Sequence, residues 1–529
     1  MTARDGGSSI APTPIVLTGR DLTPEDVVAV ARHDAPVALA PDALTAIRAS
    51  RATIDGLVAA GEAVYGVTTG FGDLATIRID PADARRLQEN LVISHAVGVG
   101  PLLPRDAVRA MLLLRANTLA RGQSGTRPVV VERLLDFLRL GLHPCVPEQG
   151  SVGASGDLAP LAHLASPLLG RGRVELDGEV MPGADALARV GLEPLRLEAK
   201  EGLALLNGTQ LMTAIGALLV HDADRLARTA SVIAAMSVEA LLGTDVAFAA
   251  AYHAARPHPG QRDVAGELRS MLAGSALQQA HHGQAHKVQD PYSLRCVPQV
   301  HGASRDALGY VRGVIQVEIN SATDNPLVFP AGSDADPHAR ATGGGTVLSG
   351  GNFHGQPVAI AMDFAKLAIA ELGSIAERRI ALLIDGRLSG LPPFLTAEAG
   401  LNSGMMLLQY AAASLVSENK VLVHPASADS IPTSANQEDH VSMGATAARQ
   451  ARDILRNVEI VLALELLCAA QGLDFRIASI GRPGARVAHA HALVRERIAH
   501  LADDRDPGPD IAAAAELVRS GALVTALDT

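Results

Sequence analysis

Residues 211–256 read LMTAIGALLVHDADRLARTASVIAAMSVEALLGTDVAFAAAYHAAR, a stretch without proline in which apolar side chains recur at helical spacing: Leu218, Leu219, Ala223, Leu226, Ala227, Ala230 and Ile233. Such a stripe is what an amphipathic helix needs in order to bury one side. The same spacing returns over residues 306–319, 357–384 and 441–472. Most of these runs exceed the usual globular helix. Together they predict a mainly α protein with a long-helix bundle core of antiparallel helices. Charges interrupt the most apolar windows, Glu239 and Asp245 in one, Asp363 and Lys366 in another, so none reads as a membrane span.

Outward from that core, residues 15–206 form a mixed N-terminal region whose short periodic segments are broken by Gly and Pro at 66–72, 98–104 and 141–156. Loops of this kind are where a rigid scaffold carries its chemistry. Residues 1–14, rich in Gly, Ser, Thr and Pro, read as a flexible tail. The central bundle is expected over 207–480, with a Gly/Pro/Asp-rich loop at 329–346 and a break at 472–484. A C-terminal helical segment follows over 481–529.

Composition narrows the function. Hydrophobic residues at 48% and charged residues at 19% allow a large core and exclude general disorder. Forty-five Lys and Arg against 56 Asp and Glu give −11 with no basic run, which argues against a nucleic-acid partner. Cys145, Cys296 and Cys468 stand far apart without a CxxC pair, giving neither a disulfide framework nor a zinc site. The N-terminus lacks the apolar stretch of a signal peptide. A soluble cytoplasmic protein is expected, without membrane association. His281, His282 and His286 have no acid or Cys nearby at ligand spacing, so no metal is expected.

There is no GxxxxGK[ST] phosphate loop and no GxGxxG opening a helix. Residues 148–165, EQGSVGASGDLAPLAHLA, stand out instead. Glycines at 150, 153 and 156 surround Ala154-Ser155, and an acid and an apolar helical pattern follow. One reading is a helix entry, with Ser155 or Asp157 capping a helix to about Ala165. A second chemistry opens if the chain bends tightly. The Gly156 nitrogen can then attack the Ala154 carbonyl carbon, with loss of water closing a five-membered ring. Dehydration of Ser155 leaves an exocyclic methylene. Gly156 has no Cβ to block the approach, Ser155 supplies the departing hydroxyl, and Ala154 is small. The product is 4-methylidene-imidazol-5-one, an electrophile made from the chain itself, with no external cofactor.

This run resembles the prosthetic-group motif of the aromatic amino acid ammonia-lyases and aminomutases, most closely their histidine-acting members. The resemblance extends along the chain from about residue 15. It passes through YGVTTGFG (65–72), LQENLVISHAVGVG (87–100), KEGLALLNGTQ (200–210), VQDPYSLRCVPQV (288–300), DNPL (324–327), GGNFHGQP (350–357) and SIPTSANQEDHVSMG (430–444). It implies a helical-bundle homotetramer acting on a small-molecule amino acid, L-histidine, with trans-urocanate and ammonia as products. Under the same resemblance, Tyr65 is the base that removes the β-proton, and Arg295 holds the substrate carboxylate bidentately. Tyr292 and Gln289 face the substrate and the prosthetic group. If their stretch has helical pitch, Gln289, Tyr292 and Arg295 lie on one side. Asn207 hydrogen-bonds the prosthetic group's oxygen, or caps the helix before Leu211, or both. Phe353 packs against the substrate ring.

Two positions bear on substrate choice. His95, in Ser-His, follows the histidine-acting pattern. Glu438 offers a carboxylate that an imidazole N–H can satisfy and a phenyl ring cannot. Thr68 and Gln356 instead follow variants familiar among tyrosine lyases and aminomutases. An aminomutase or a tyrosine ammonia-lyase therefore remains the alternative. Either way, Ser155→Ala should abolish turnover and leave the fold intact, since no methylene can form and no core volume is lost. Near-normal activity of that variant in a steady-state assay contradicts the prosthetic-group assignment.

Overall fold

In the computed structural model the 211–256 run forms a helix over Gln210–Ala240 and stops well short of Arg256. The structure describes residues 13–528, apart from 63, 65, 68, 70–78, 81–82, 155, 283–288, 332–340 and 343–344. The stop is a backbone lock. Leu242 is left-handed (φ 48°); its N–H donates to the Glu239 carbonyl, and that of Gly243 reaches back to Val238. These two bonds satisfy the helix's last carbonyls. A left-handed leucine costs roughly 1–2 kcal/mol, and hydrophobic spacing carries no trace of it. Only a 3₁₀ turn, Asp245–Phe248, and the short helix Ala250–Ala254 follow before Arg256.

The other expected helices form over Val297–Glu318, Gln356–Ile384 and Gly444–Ser479, with Met406–Leu422 in addition. The chain is mainly α. No helix among the described residues is long and apolar enough to cross a membrane. Gly472 does not break its helix as expected. It sits in a close packing contact, where a Cβ would stand 3.1 Å from both Ala240 Cβ and Leu391 Cδ1. The break comes past Ser479, at Gly481 (φ 144°) and the Pro483-Gly484 pair. The ends of the expected 329–346 loop are strands. Leu327–Pro330 pairs antiparallel with Gly345–Leu348; the loop's interior lies mostly outside the described residues.

Contacts group the chain into two units. The first runs to Leu218 and adds Gly313–Ile360 and Ala426–Arg449; the second comprises Leu219–Arg312, Ala361–Pro425 and the chain from Gln450 on. The units interleave along the sequence, whereas the segments 15–206, 207–480 and 481–529 follow chain order.

Side-chain partners in the second unit give the helix directions. Ala227 with Arg305 and Ser231 with His301 run in opposite senses, so Gln210–Ala240 and Val297–Glu318 are antiparallel. The same holds for Gln356–Ile384 and Met406–Leu422, where Glu377 meets Gln409 and Lys366 meets the His424 carbonyl. Gln356–Ile384 and Gly444–Ser479 depart from the expected antiparallel bundle. Lys366 bonds Gln450, Gly373 lies against Val458 and Arg379 pairs with Glu465, partners that advance together. These two helices are parallel because the Met406–Leu422 helix carries the chain back between them.

The Arg379–Glu465 pair is fully buried. Arg379 Nη2 donates to Glu465 Oε2 at 2.8 Å, and Ser237 Oγ donates to Oε1 at 2.6 Å, so one carboxylate ties three long helices. Arg379→Met leaves that charge buried without its cation and should cost about 3–5 kcal/mol. The double variant Arg379→Met/Glu465→Leu should recover most of the loss. Urea unfolding of both distinguishes them; a single variant as stable as the double contradicts this reading.

Candidate functional site

In the first unit the Gly-rich run 148–157 lies against several other segments, and glycine is required where backbone meets backbone. Gly156 (φ 74°) pairs with Gly208 as a parallel bridge. A Cβ on Gly156 would fall 2.1 Å from the Gly208 carbonyl oxygen and 2.5 Å from its nitrogen, so no other residue fits. The Asp157 N–H donates to that same carbonyl at 2.7 Å. On the other side Gly153 (φ 68°) faces Ser442, whose hydroxyl donates to the Gly153 carbonyl at 3.0 Å and would lie 2.1 Å from an added Cβ. Met443 N–H donates to Val152 at 2.8 Å, and Ala154 is buried against Val441 and Met443. Ala154 and Gly156 are thus clamped on either side of Ser155, which itself lies outside the described residues.

Asp157 stands at the N-cap position of Leu158–Ala165, but its side chain makes no cap there. Its Oδ2 accepts from the Leu211 and Met212 N–H groups at 2.7 and 3.3 Å, and Oδ1 from Ser151 Oγ at 3.2 Å. The carboxyl therefore caps the Gln210–Ala240 helix through these two backbone N–H groups. Asn207, the other candidate for that cap, instead closes the Glu201–Leu206 helix, donating its N–H to Leu203. Its carbonyl accepts from Arg115 Nη1 at 2.7 Å. Arg115 is fully buried, also donates to Gln210 Oε1 at 2.8 Å, and is lowered to about 10 by desolvation. Its Nε and Nη2 have no hydrogen-bond partner among the described residues. Burial also raises the Glu318 carboxyl, which accepts from Thr209 Oγ1 and adds to the negative field on Asp157.

His95 and Glu438 come within electrostatic reach of one another. Desolvation lowers the His95 pKa, and Glu438 offsets part of that. Ser94 Oγ lies 3.1 Å from His95 Nδ1. Both His95 and Glu438 are half-buried, as is Phe353. The Phe353 segment is tied in on two sides: Gly355 N–H donates to the Gly153 carbonyl, and His354 stacks on His440 with centroids 5.7 Å apart. Tyr65 and Thr68 lie outside the described residues, as does His286.

Gln289, Tyr292 and Arg295 belong to the second unit. Tyr292–Arg295 is one helical turn starting after Pro291, which disfavours helix in the residue before it. Gln289 consequently precedes the turn and does not share a helical face with the other two. The Arg295 guanidinium lies 4.6 Å from the Tyr292 ring centroid, a cation–π contact. Tyr292 is 71% exposed, and Arg295 Nε has no hydrogen-bond partner among the described residues.

Three contributors carry little local signal of their roles. Asp157 was legible as a cap, but not of which helix. Ser442, inside 430–444, has no sequence feature that marks its partner. Arg115 lies in an apolar helical run with no signal beyond its charge among leucines.

A sequence model described as aromatic amino acid lyase matches residues 22–496. The chain is 55% identical to the histidine ammonia-lyase of Anaeromyxobacter dehalogenans over 517 residues, 96% of this chain and 99% of that one. Among solved structures it is similar to histidine ammonia-lyase from Trypanosoma cruzi, with TM-score 0.89 and 42% identity over 98% of this chain and 95% of that one. It is also similar to tyrosine aminomutase from Streptomyces globisporus, with TM-score 0.90 and 40% identity over 98% of each.

Burial pushes the Asp157 carboxyl up to about 7, so folding favours its protonated form. Its contribution to stability is complete below about pH 4 and is lost as pH rises through about 7. Asp157→Asn keeps an acceptor oxygen for the Leu211 N–H and has no carboxyl proton to lose. The wild type should lose stability relative to this variant between about pH 4 and 7, at a limiting slope of about 1.4 kcal/mol per pH unit, and level off above. Parallel unfolding profiles across that range contradict the assignment.

Proposed function

This chain belongs to the aromatic amino acid lyase family, and from that membership we infer that it eliminates ammonia from L-histidine to give trans-urocanate. The electrophile is 4-methylidene-imidazol-5-one, made from Ala154, Ser155 and Gly156. The residues present fit the group. Gly156 offers a nitrogen unobstructed by a Cβ, Ala154 is small and clamped by its neighbours, and Asn207 directly precedes Gly208, the residue that pins Gly156. Such a group supplies an electron sink for the substrate amine or, in a competing view, for the ring, which lets ammonia depart.

The chain's own residues do the rest. Tyr65 removes the poorly acidic β-proton, a step that needs a base held in hydrogen-bond reach. Arg295 takes the substrate carboxylate with its planar fork, while Tyr292 and Gln289 orient the substrate. Phe353 packs on its ring. Asn207 donates to the prosthetic group's oxygen and supports charge developing there. A homotetramer is part of this reading. Tyr310, Phe364, Leu367, Leu407 and Tyr410 of the second unit are large and exposed, an apolar surface of the kind that assembly covers.

The observation carrying the choice of histidine is the half-buried Glu438 carboxylate beside His95. It matches an imidazole N–H and penalises a phenyl ring. A second reading, an aminomutase or a tyrosine ammonia-lyase, is favoured by Thr68 and by Gln356, whose Nε2 reaches the Ser427 carbonyl at 3.5 Å. Incubation with L-histidine and with L-tyrosine decides. Urocanate from histidine, at the higher kcat/KM, is expected; a β-amino acid product or a preference for tyrosine overturns the proposal. Within it, Glu438→Gln should lower histidine turnover by about tenfold if the carboxylate only orients the ring. The fall should be on the order of 10²–10⁴ if it also moves a proton. Unchanged kcat/KM removes Glu438 from the site.

A further inference from the structure

The short loop that carries Glu438 is closed on itself. Thr433 and Glu438 form an antiparallel bridge, with Thr433 N–H donating to the Glu438 carbonyl at 3.0 Å and Glu438 N–H to the Thr433 carbonyl at 3.3 Å. Between them Ser434, Ala435 and Asn436 all take positive φ, 49°, 52° and 68°. None is glycine, so each pays sterically for its conformation, and such a run persists only where its surroundings over-determine it. The surroundings here are specific. Val441 N–H donates to Ser430 Oγ at 3.0 Å, closing the segment from outside. His440 is held by its stack on His354 and by the contact of His354 Nε2 with its carbonyl at 3.1 Å.

One contact inside the loop bears on chemistry. Thr433 Oγ1 donates to Glu438 Oε2 at 2.7 Å, a charge-assisted bond of the stronger kind. Threonine is β-branched and stiff at χ1, so the hydroxyl's direction is set by the same backbone that sets Glu438. We propose that Thr433 is a positioning residue for substrate choice: its hydroxyl fixes the rotation of the Glu438 carboxylate, so that the carboxylate meets an imidazole N–H and cannot turn away from a phenyl or phenol ring. The consequence is two-sided. A fixed acceptor binds imidazole without the entropy of ordering a free side chain, and a ring without an N–H at that place gives it no matching donor while displacing water from it. The inference rests on the reading of Glu438 as the partner of the substrate imidazole.

Thr433→Val keeps the shape and the β-branch and removes the donor; Thr433→Ser keeps the donor. In Thr433→Val, kcat/KM for L-histidine should fall by about tenfold, mainly through KM because the lost contact serves ground and transition states alike. Turnover of L-phenylalanine or L-tyrosine should hold or rise, lowering the selectivity ratio. Thr433→Ser should restore most of both. A variant with an unchanged selectivity ratio, or one that loses both substrates equally along with a fall in Tm, overturns the positioning role. Wild-type enzyme that prefers L-tyrosine overturns the histidine reading itself and this inference with it, an outcome visible before any variant is made.

Discussion

The site depends on one close approach, the backbone of Gly156 laid against the backbone of Gly208. With 2.1 Å between an imagined Cβ and the facing carbonyl oxygen, this contact admits no side chain at 156, and it sets the pitch of everything around it. It brings Asp157 onto the first turn of the Gln210–Ala240 helix, where two backbone N–H groups take the carboxylate. It fixes the turn on one side of Ser155, while Gly153 and Ser442 fix the other. Gly153 and Gly156 are thus each held by backbone and hydroxyl contacts from other segments, with buried polar groups behind them.

Those groups are arranged at some electrostatic expense. Asp157, Glu318, Arg115 and the Lys200–Asp324 pair are drawn into the interior of the first unit, where an uncompensated charge is costly. Arg115 bonds the Asn207 carbonyl, so the cation sits one residue from Gly208. The same logic governs the second unit, where Glu465 is satisfied by Arg379 and Ser237 from two other helices. In both units polar side chains from distant stretches set the register that apolar packing alone leaves loose.

Much of this was legible in the sequence, and the failures have physical causes. The long helices were readable because a 3.6-residue period is local. Their ends were not, since Leu242 breaks a helix without looking like a breaker and Gly472 continues one where close packing needs it. Helix direction needed partners, not periodicity. The close backbone approach at Gly156 was legible because only a residue without a Cβ admits one. The role of Asp157 was not, because its partner stands 54 residues away. The left-handed run Ser434-Ala435-Asn436 carries almost no local signal, and the Thr433–Glu438 bond it makes possible was invisible from composition or spacing.

The chemistry requires that the chain make its own electrophile. Cyclisation and dehydration of Ala154-Ser155-Gly156 each remove one water, and neither adds an atom. Intact mass spectrometry of the purified, natively folded protein should therefore give the encoded mass less two waters, with the deficit confined to the peptide containing residues 154–156 and absent from Ser155→Ala. A natively folded chain at its full encoded mass would contradict the account.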